Sequence, residues 1–357
     1  MSVAAALVFF VVVAGRFLLP LAIPYFPLPA VIGCLVLDGV DQTIFQSFGY
    51  DPPGYQSYDK AMDVYYLSIA YLSTLRNWTN QAAFEISRFL FFYRLAGALL
   101  FEVTQARWLL LAFPNVFEYF FIAYETIRSR GSPVTLMATW WISLAGVIWV
   151  VVKLPQEWWL HVAQLDLTDE ISGHQWILGL IVALLAGISV LFQRLIRPRL
   201  PPADWDWRVR PEPLPEEIDE PHEQDAWRTR YDAVWSWNTF EKALLLSLVC
   251  GVFGQMLPDF TGSTTELFAG VAVAVVMNAA ISLAVARRNW TIRSTGLAFA
   301  TRLLLNVALA TIGDWLLGRQ MDGYDTLFFL TMISLITTLH DRWRPVHHYR
   351  RLTATAG

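Results

Sequence analysis

Segments of mostly apolar residues, each long enough to cross a bilayer, recur along almost the whole of this chain. A helix needs about 17–25 such residues to span the hydrocarbon core. Lipid offers no hydrogen bonds to the backbone, so segments of this kind satisfy their own amide groups as helices. The sequence therefore predicts an all-α fold, a polytopic transmembrane helical bundle of about eleven spans. We place these spans near residues 3–23, 29–48, 61–76, 83–102, 106–127, 134–152, 174–194, 240–258, 266–286, 296–317 and 323–340.

The composition supports a membrane location and argues against one class of partner. Hydrophobic residues make up 55% of the chain and charged residues 16%, compared with about 25% charged in an ordinary soluble domain. The net charge of −4 comes without a basic face interleaved with aromatic residues, so we expect no nucleic-acid partner. Cys34 and Cys250 both lie inside apolar runs, so we expect neither a disulfide nor a metal motif from them.

The distribution of arginine and lysine between the spans predicts the orientation in the membrane. The loops that follow the third, fifth, seventh, ninth and last spans are rich in arginine, whereas most of the others are poor in basic residues. Basic loops face the cytoplasm, so we expect the N-terminus outside and the C-terminus in the cytoplasm. The chain is compact and lacks eukaryotic targeting signals, which favours the cell membrane of a bacterium, with membrane lipids as partners.

Two long connections interrupt the series of spans. Residues 153–173 carry a tryptophan pair and several acids, which is typical either of a helix lying in the outer interface or of an ordinary loop. Residues 198–238 are rich in proline, acids and tryptophan, and form a linker, a tether or a docking strip for a protein partner. The predicted organisation is a bundle of about seven spans (1–197), a cytoplasmic linker (198–238), a bundle of about four spans (239–342) and a basic tail (343–357).

Four aspartates lie where apolar spans are expected. Asp38 and Asp41 fall in the second half of one apolar run, and Asp59 and Asp63 open the next. The spacings of three and four residues place each pair on one face of a helix. A charged side chain in the middle of a bilayer costs about 2.5–3.5 kcal/mol, so such groups usually face a cavity, a partner or a ligand.

The aspartates predict one of two kinds of chemistry. Two carboxylate pairs on adjacent helices suit Mg²⁺ or Mn²⁺, and the metal would then hold a diphosphate. Alternatively, one carboxylate acts as a general base if its neighbours raise its pKa. A third interpretation is that these acids end helices and face water. The predicted metal ligands are Asp38, Asp41, Asp59 and Asp63, and the predicted catalytic residues are Asp38, Asp41, Asp63 and Glu118. The sequence carries no haem, nucleotide or iron–sulfur signal.

The spacing of the aspartates resembles part of a known signature. Asp38-Gly39 followed by Asp59-x-x-x-Asp63 is similar to the signature of CDP-alcohol phosphotransferases, which pairs an Asp-Gly with a later Asp-x-x-x-Asp. Leu35 replaces that family's first Asp, Gln42-Thr43 replaces its Ala-Arg, and the second pair comes a few residues late. Membrane prenyltransferases also use Asp-x-x-x-Asp, but with an Asn where this chain has Tyr55. The resemblance implies phosphotransfer chemistry, and the departures, together with the predicted outer location of the site, argue against membership.

Several basic and acidic residues lie in the first five predicted spans. Arg88 follows Glu85 by three residues, a spacing at which the two form a pair within one helix. We expect Arg16 or Arg94 to balance Asp38 or Glu118, either to hold helices in register or to serve a site. The predicted substrate-binding residues, which would clamp an anionic group, are Arg16, Arg88 and Arg94.

The second half of the chain carries fewer polar residues within its spans. The notable ones are Asn278, Arg302, Asn306 and Asp314. Arg302 and Asn306 are four residues apart, so we expect them to make hydrogen bonds between helices. The histidines of the basic tail are expected to lie near anionic lipid.

Three functions follow from these patterns. The first is a membrane-embedded transferase or hydrolase acting on a lipid or a lipid-linked phosphate. The second is an ion- or proton-coupled transporter that uses the same carboxylates. The third is a non-catalytic scaffold subunit that works through residues 198–238. We favour the enzyme narrowly, because the polar residues cluster in the first five spans.

Overall fold

Every regular element that the structure describes is helical. The computed structural model describes residues 3–49, 55–158, 176–191, 193–194, 197–200, 210–256, 263–288, 292–317 and 323–356, and none of these residues lies in a strand. The helices are α1 (Val3–Leu18), α2 (Pro27–Ser47), α3 (Tyr55–Asn77), α4 (Gln81–Thr104), α5 (Trp108–Ala112), α6 (Val116–Arg128), α7 (Ala138–Val147), α8 (Leu154–Glu157), α9 (Trp176–Leu191), α10 (Pro221–Tyr231), α11 (Trp237–Met256), α12 (Thr264–Ala286), α13 (Thr295–Leu317) and α14 (Gly323–Ala356). The predicted all-α fold is confirmed.

Five helical segments of the described chain are long and apolar enough to cross a membrane. They are Val3–Ala22, Pro27–Ser47, Ala138–Glu157, Thr264–Ala286 and Thr295–Ile312. These segments indicate a membrane protein. The larger number of about eleven spans and the orientation of the termini stay predictions.

The chain folds into two compact units, each built from segments that are distant in sequence. One unit, here called the first unit, comprises Met1–Tyr25, Gly33–Trp78 and Pro211–Gly357. The second unit comprises Phe26–Ile32 and Thr79–Arg210. The sequence-based division follows the order of the spans along the chain, and it stays a prediction.

Helix α3 forms the centre of the first unit. It packs against α1, α11 and α14, and all its side chains from Ala61 to Leu75 except Asp63 are buried. Two of its buried hydroxyl groups are satisfied within the helix itself, because Ser68 donates to the carbonyl oxygen of Val64 at 2.6 Å and Thr74 to that of Tyr71 at 2.7 Å. Back-bonding of this kind lets a helix with several polar residues serve as a core.

Local sequence explains where several helices begin. Helix α4 begins after Asn80, whose side chain accepts a hydrogen bond from the backbone N–H of Ala83 at 2.9 Å. Helix α12 begins with a capping box in which Ser263 and Glu266 each accept a hydrogen bond from the other's backbone N–H. Both arrangements satisfy amide groups that have no partner inside the helix.

One predicted span is wrong as a continuous helix. Residues 106–127 form two helices, α5 and α6, which are separated by Phe113–Asn115. Pro114 has no N–H to continue the helix. The side chain of Asn115 then caps α6 by accepting from the backbone N–H of Glu118 at 3.4 Å, which favours a new helix start at this point. By contrast, α2 and α3 are each continuous, so neither is a broken helix.

The segment between the predicted bundles is structured where the structure describes it. Residues 210–217 are not helical, as their prolines predict, and α10 follows. Helix α10 packs against α12 and α14 within the first unit. Of the other long connection, α8 and Trp158 are described, and residues 159–175 lie outside the described residues.

Two smaller predictions about the first unit are tested by the structure. Cys34 and Cys250 are buried free thiols, as expected. The predicted basic tail is helical, because α14 continues to Ala356. In that part of α14, His347 is buried with 4% of its surface exposed, which corrects the expectation that it lies near lipid.

Candidate functional site: carboxylates around Arg16

A single arginine in the first unit contacts all four predicted aspartates. Its guanidinium donates to Asp41 at 2.5 Å, to Asp59 at 3.0 Å and to Asp63 at 3.5 Å. It also donates to Asp38. The arginine is Arg16 on α1, and its side chain is 4% exposed. The structure thus brings the two carboxylate pairs together, and Arg16 is the residue that balances Asp38.

Helix geometry explains how three helices converge on this site. Asp38 and Asp41 project from one face of α2, and Asp59 and Asp63 from one face of the first turns of α3. A side chain added at Gly15 would come within 3.3 Å of Leu37. Small residues allow helices to approach closely, so this glycine lets α1 lie near enough to α2 for Arg16 to reach the carboxylates.

The four carboxylates differ in exposure. The side chain of Asp41 is fully buried, whereas those of Asp38, Asp59 and Asp63 are 25%, 32% and 20% exposed. Asp41 also accepts a hydrogen bond from the phenol of Tyr55. Buried charges are tolerated when they are paired and hydrogen-bonded. Asp41 is therefore placed to fix the guanidinium, while the other three carboxylates remain accessible.

Aromatic rings surround the buried side of the cluster. The Arg16 guanidinium carbon lies 5.6 Å from the centroid of the Tyr58 ring, within the range of a cation–π contact. Phe45 packs between Phe9 and Tyr55, with ring centroids 5.4 Å and 6.4 Å away. This wall lowers the local dielectric and strengthens the interactions among the charges.

The three accessible carboxylates have a spacing that suits a shared metal ion. One oxygen from each of Asp38, Asp59 and Asp63 lies within 4.8 Å of the others. Two oxygens bound to one Mg²⁺ at about 2.1 Å lie at most about 4.2 Å apart, and Ca²⁺ allows about 5 Å. Four carboxylates and one guanidinium give a formal charge of −3, which a divalent ion would reduce to −1. Hard cations prefer oxygen ligands, so the donor chemistry suits Mg²⁺ or Mn²⁺, and either ion would require the three oxygens to lie within about 4.2 Å of one another. Asp41 lies outside this group in the described part of the chain.

The other predicted site residues belong to the second unit. Arg88 pairs with Glu85 at 3.3 Å, as expected for an intrahelical pair. Arg94 is buried and donates to the carbonyl oxygen of Phe113 at 3.1 Å. Glu118 is buried and accepts from the side-chain amide of Asn115 at 2.8 Å. These contacts give all three a structural role, and their predicted catalytic and substrate-binding roles stay predictions.

The structure reveals a second buried charge cluster in the first unit that sequence reasoning missed. The carboxylate of Asp341 on α14 accepts from Lys242 at 2.6 Å, from Arg302 at 2.8 Å and from Arg228 at 3.3 Å. The predicted hydrogen bonds of Arg302 between helices are confirmed, because it also donates to Thr338 at 3.1 Å. No spacing in the sequence links these four charged residues, since each lies on a different helix.

The predicted role of Asn306 is confirmed as well. Its side-chain oxygen accepts from Asn278 on α12 at 2.6 Å, and its amide donates to Ser334 on α14 at 2.8 Å. Three helices of the first unit are therefore joined by side-chain amides at this level. The side chain of Asp314 lies outside the described residues.

Comparisons of the chain with protein-family models, with curated proteins and with solved structures gave no match. Function is therefore inferred from the geometry of the site.

Proposed function

We propose that this chain is a multi-pass membrane enzyme that transfers or hydrolyses the phosphate group of a lipid or a lipid-linked substrate. The observation that supports the proposal is the convergence of Asp38, Asp59 and Asp63, three partly exposed carboxylates whose oxygens lie within 4.8 Å of one another. These residues would hold Mg²⁺ or Mn²⁺. A divalent ion bound there supplies Lewis-acid polarisation of a phosphoryl oxygen and holds a diphosphate.

The residues around the triad have distinct roles in this proposal. Arg16 provides guanidinium donors for the phosphate oxygens of the substrate, in the manner of other arginine–phosphate contacts. Asp41 keeps that guanidinium in place by accepting its hydrogen bond, and Tyr55 holds Asp41 by donating to it. A carboxylate of the triad accepts the proton of the attacking hydroxyl group. The change from the sequence analysis is that Asp41 becomes a positioning residue.

The membrane topology is part of the same proposal. We place about eleven spans, with the N-terminus outside and the C-terminus in the cytoplasm of a bacterial cell. A helix of the described chain overlaps each of the eleven predicted spans, which supports this number. In this topology the carboxylates open toward the outer side. Residues 198–238 remain a candidate docking strip for a protein partner.

Native mass spectrometry and Mn²⁺ titration of the purified protein test the proposal. We expect the wild type to bind one Mn²⁺ and to retain a phosphate-bearing lipid. Asp38→Asn and Asp63→Asn should lose both, because each removes one of three ligands. Asp219→Asn is the matched control, since Asp219 is an exposed aspartate far along the chain from the cluster. Equal Mn²⁺ binding in the wild type and in both cluster variants would exclude the metal site.

A transporter that uses the same carboxylates is the second candidate. The observation that favours it is that Arg16, a built-in cation, already contacts all four aspartates. Such a cation can exchange with a transported ion or a proton as the carboxylates change partners. Flux in proteoliposomes that depends on an ion gradient and is lost in Asp63→Asn would favour transport. A scaffold would tolerate asparagine at all four aspartates.

A further inference from the structure

Two cavities adjoin each other within the first unit. The smaller, here called the polar cavity, has a volume of about 150 Å³, and its lining combines apolar side chains with charged and polar side chains of α10, α12, α13 and α14. The larger has a volume of about 570 Å³ and is almost entirely apolar. Thr295 and Thr338 line both cavities. A ligand with one polar end and one apolar end would therefore contact both.

The polar cavity has more positive than negative charge around it. Arg228, Arg302 and Arg342 line it together with the acids Asp225 and Asp341. Lys242 lies directly behind Asp341 and bonds to it at 2.6 Å. The four cations exceed the two carboxylates by two charges. A buried excess of charge is costly unless a counter-ion balances it, so the cavity favours an anion.

The charged groups of the cavity lining pair mainly with one another, and Glu220, outside the lining, also attracts Arg342. Arg228 pairs with Asp225 at 3.5 Å and with Asp341 at 3.3 Å. Arg302 donates to Asp341 and to Ser282, both at 2.8 Å. The remaining cation of the lining, Arg342, donates to a backbone carbonyl oxygen. Both acids of the lining are therefore already shared among the cations, which leaves the lining itself with a net positive charge.

Three residues that line the cavity each carry a buried polar atom without a hydrogen-bond partner. Arg228 is 7% exposed, and its Nε–H is buried without a hydrogen-bond partner. The side-chain oxygens of Gln224 and Asn278, which line the same cavity, are likewise buried without a donor. Buried polar atoms are normally hydrogen-bonded. A ligand with anionic oxygens and a hydroxyl group would reach these atoms only if the three side chains turned toward the cavity.

The apolar cavity is suited to a hydrocarbon chain. Its lining includes Phe17, Tyr65, Phe299, Phe328, Met332 and Trp343. A cavity of this size and composition does not hold ordered water, because water needs polar partners. Its volume lies within the range of about 300–1,000 Å³ that is typical of small-molecule sites.

We propose that the two cavities bind one anionic amphiphile, a lipid with a phosphate-bearing headgroup. The headgroup lies in the polar cavity beside Arg302 and Arg228, and a hydrocarbon chain lies in the apolar cavity. Arg302 marks the junction, because it donates to Thr338, which lines both cavities. The inference is independent of the proposed enzyme activity, since it uses none of the Arg16 cluster.

Lipid binding to the delipidated, detergent-purified full chain tests this inference. The probes are dioleoyl phosphatidylglycerol, dioleoyl phosphatidylcholine and inorganic phosphate, with native mass spectrometry and thermal unfolding as readouts. Arg302→Gln and Arg342→Gln each remove one positive charge from the cavity that would hold the headgroup. Gly296→Leu fills the apolar cavity, and the only contact of an added Cβ is with Ser294 at 3.8 Å, so the helix should tolerate it. Gly270→Leu is the matched control, because nothing lies within 4 Å of a Cβ there.

We expect phosphatidylglycerol to bind about tenfold more tightly than phosphatidylcholine, a factor that one charge-assisted hydrogen bond provides. Arg342→Gln and Gly296→Leu should each weaken phosphatidylglycerol binding, whereas Gly270→Leu should not. Arg342→Gln keeps the test valid if Arg302→Gln fails to fold. Equal binding of the two lipids, or unchanged binding in Gly296→Leu, would overturn the proposal. Stabilisation by inorganic phosphate alone, insensitive to Gly296→Leu, would overturn the lipid assignment.

Discussion

Replacing Arg16 should destabilise the protein far more than replacing any one of its aspartate partners. Arg16→Gln removes the attraction to every carboxylate of the cluster and leaves four acids close together. Asp59→Asn removes one acid and leaves Arg16 with three partners. Asp59→Asn is nearly isosteric, and Arg16→Gln replaces one flexible polar side chain by another. The loss of charge therefore accounts for most of the difference between their free energies of unfolding.

The distances give the size of the asymmetry. At 4.8 Å and an effective dielectric constant of about 20, two carboxylates repel by about 3.5 kcal/mol. Asp59→Asn relieves two such repulsions within the triad and loses one attraction at 3.0 Å, which is worth about 5.5 kcal/mol on the same scale. These terms nearly cancel, so the net change should be no more than about 1.5 kcal/mol. Arg16→Gln has no such compensation and should cost about 3–5 kcal/mol.

Equilibrium unfolding in mixed micelles, followed by tryptophan fluorescence, measures both changes. Arg88→Gln is the control, since the Arg88–Glu85 pair is partly exposed and should be worth less than about 1 kcal/mol. Added Mn²⁺ should partly restore the stability of Arg16→Gln, because an ion that binds only the folded state shifts the equilibrium toward it. If Asp59→Asn costs as much as Arg16→Gln, the carboxylates are not in excess and the reasoning for a cation site fails.

Two further predictions concern other parts of the chain. Burial beside Arg344, Arg350 and Arg351 holds the pKa of His347 well below its usual value. Below about pH 6.5 the unfolded chain therefore binds a proton that the folded chain does not. The stability that this histidine contributes is present above about pH 6.5 and is lost as the pH falls below it. As the pH is lowered from about 7.5 to about 5.5, the thermal unfolding midpoint should therefore decrease less in His347→Gln than in the wild type or in the exposed control His222→Gln. An equal decrease in all three proteins would contradict the lowered pKa of His347. A Cβ added at Gly97 would lie 2.1 Å from that of Phe113, so Gly97→Ala should destabilise by about 1–3 kcal/mol. Gly146→Ala, where nothing lies within 4 Å, should be neutral or stabilising, and equal unfolding midpoints for the two would refute the close approach.

The helical fold and the aspartate cluster could be predicted because both depend on local pattern. Long apolar runs require helices in lipid, and a spacing of three or four residues places Asp38 with Asp41 and Asp59 with Asp63 on common faces. Arg16 stood out because a charge in an apolar run needs a partner. The sequence offered Arg16 and Arg94 as that partner, and only the packing of α1 against α2 and α3 selects Arg16.

The Asp341 cluster could not be predicted, because its members have no local relationship. Lys242 is 99 residues from Asp341, and Arg228 is 113 residues away. Hydropathy placed Lys242 at the edge of a span and Arg228 in a linker, where charges are ordinary. The break between α5 and α6 was also missed, although Pro114 and Asn115 together carry a recognisable signal for a new helix start.

The central position of α3 has a consequence for biosynthesis. This helix is made early, yet one of the helices that bury it, α14, is translated after every other described element. Until α14 is in place, α3 lacks one of the helices that bury it. Lys242 then also lacks its ion-pair partner Asp341. The first unit therefore reaches its native packing only after α14 has been translated, and chaperones or insertases that shield membrane helices would have their greatest effect on this chain before that point.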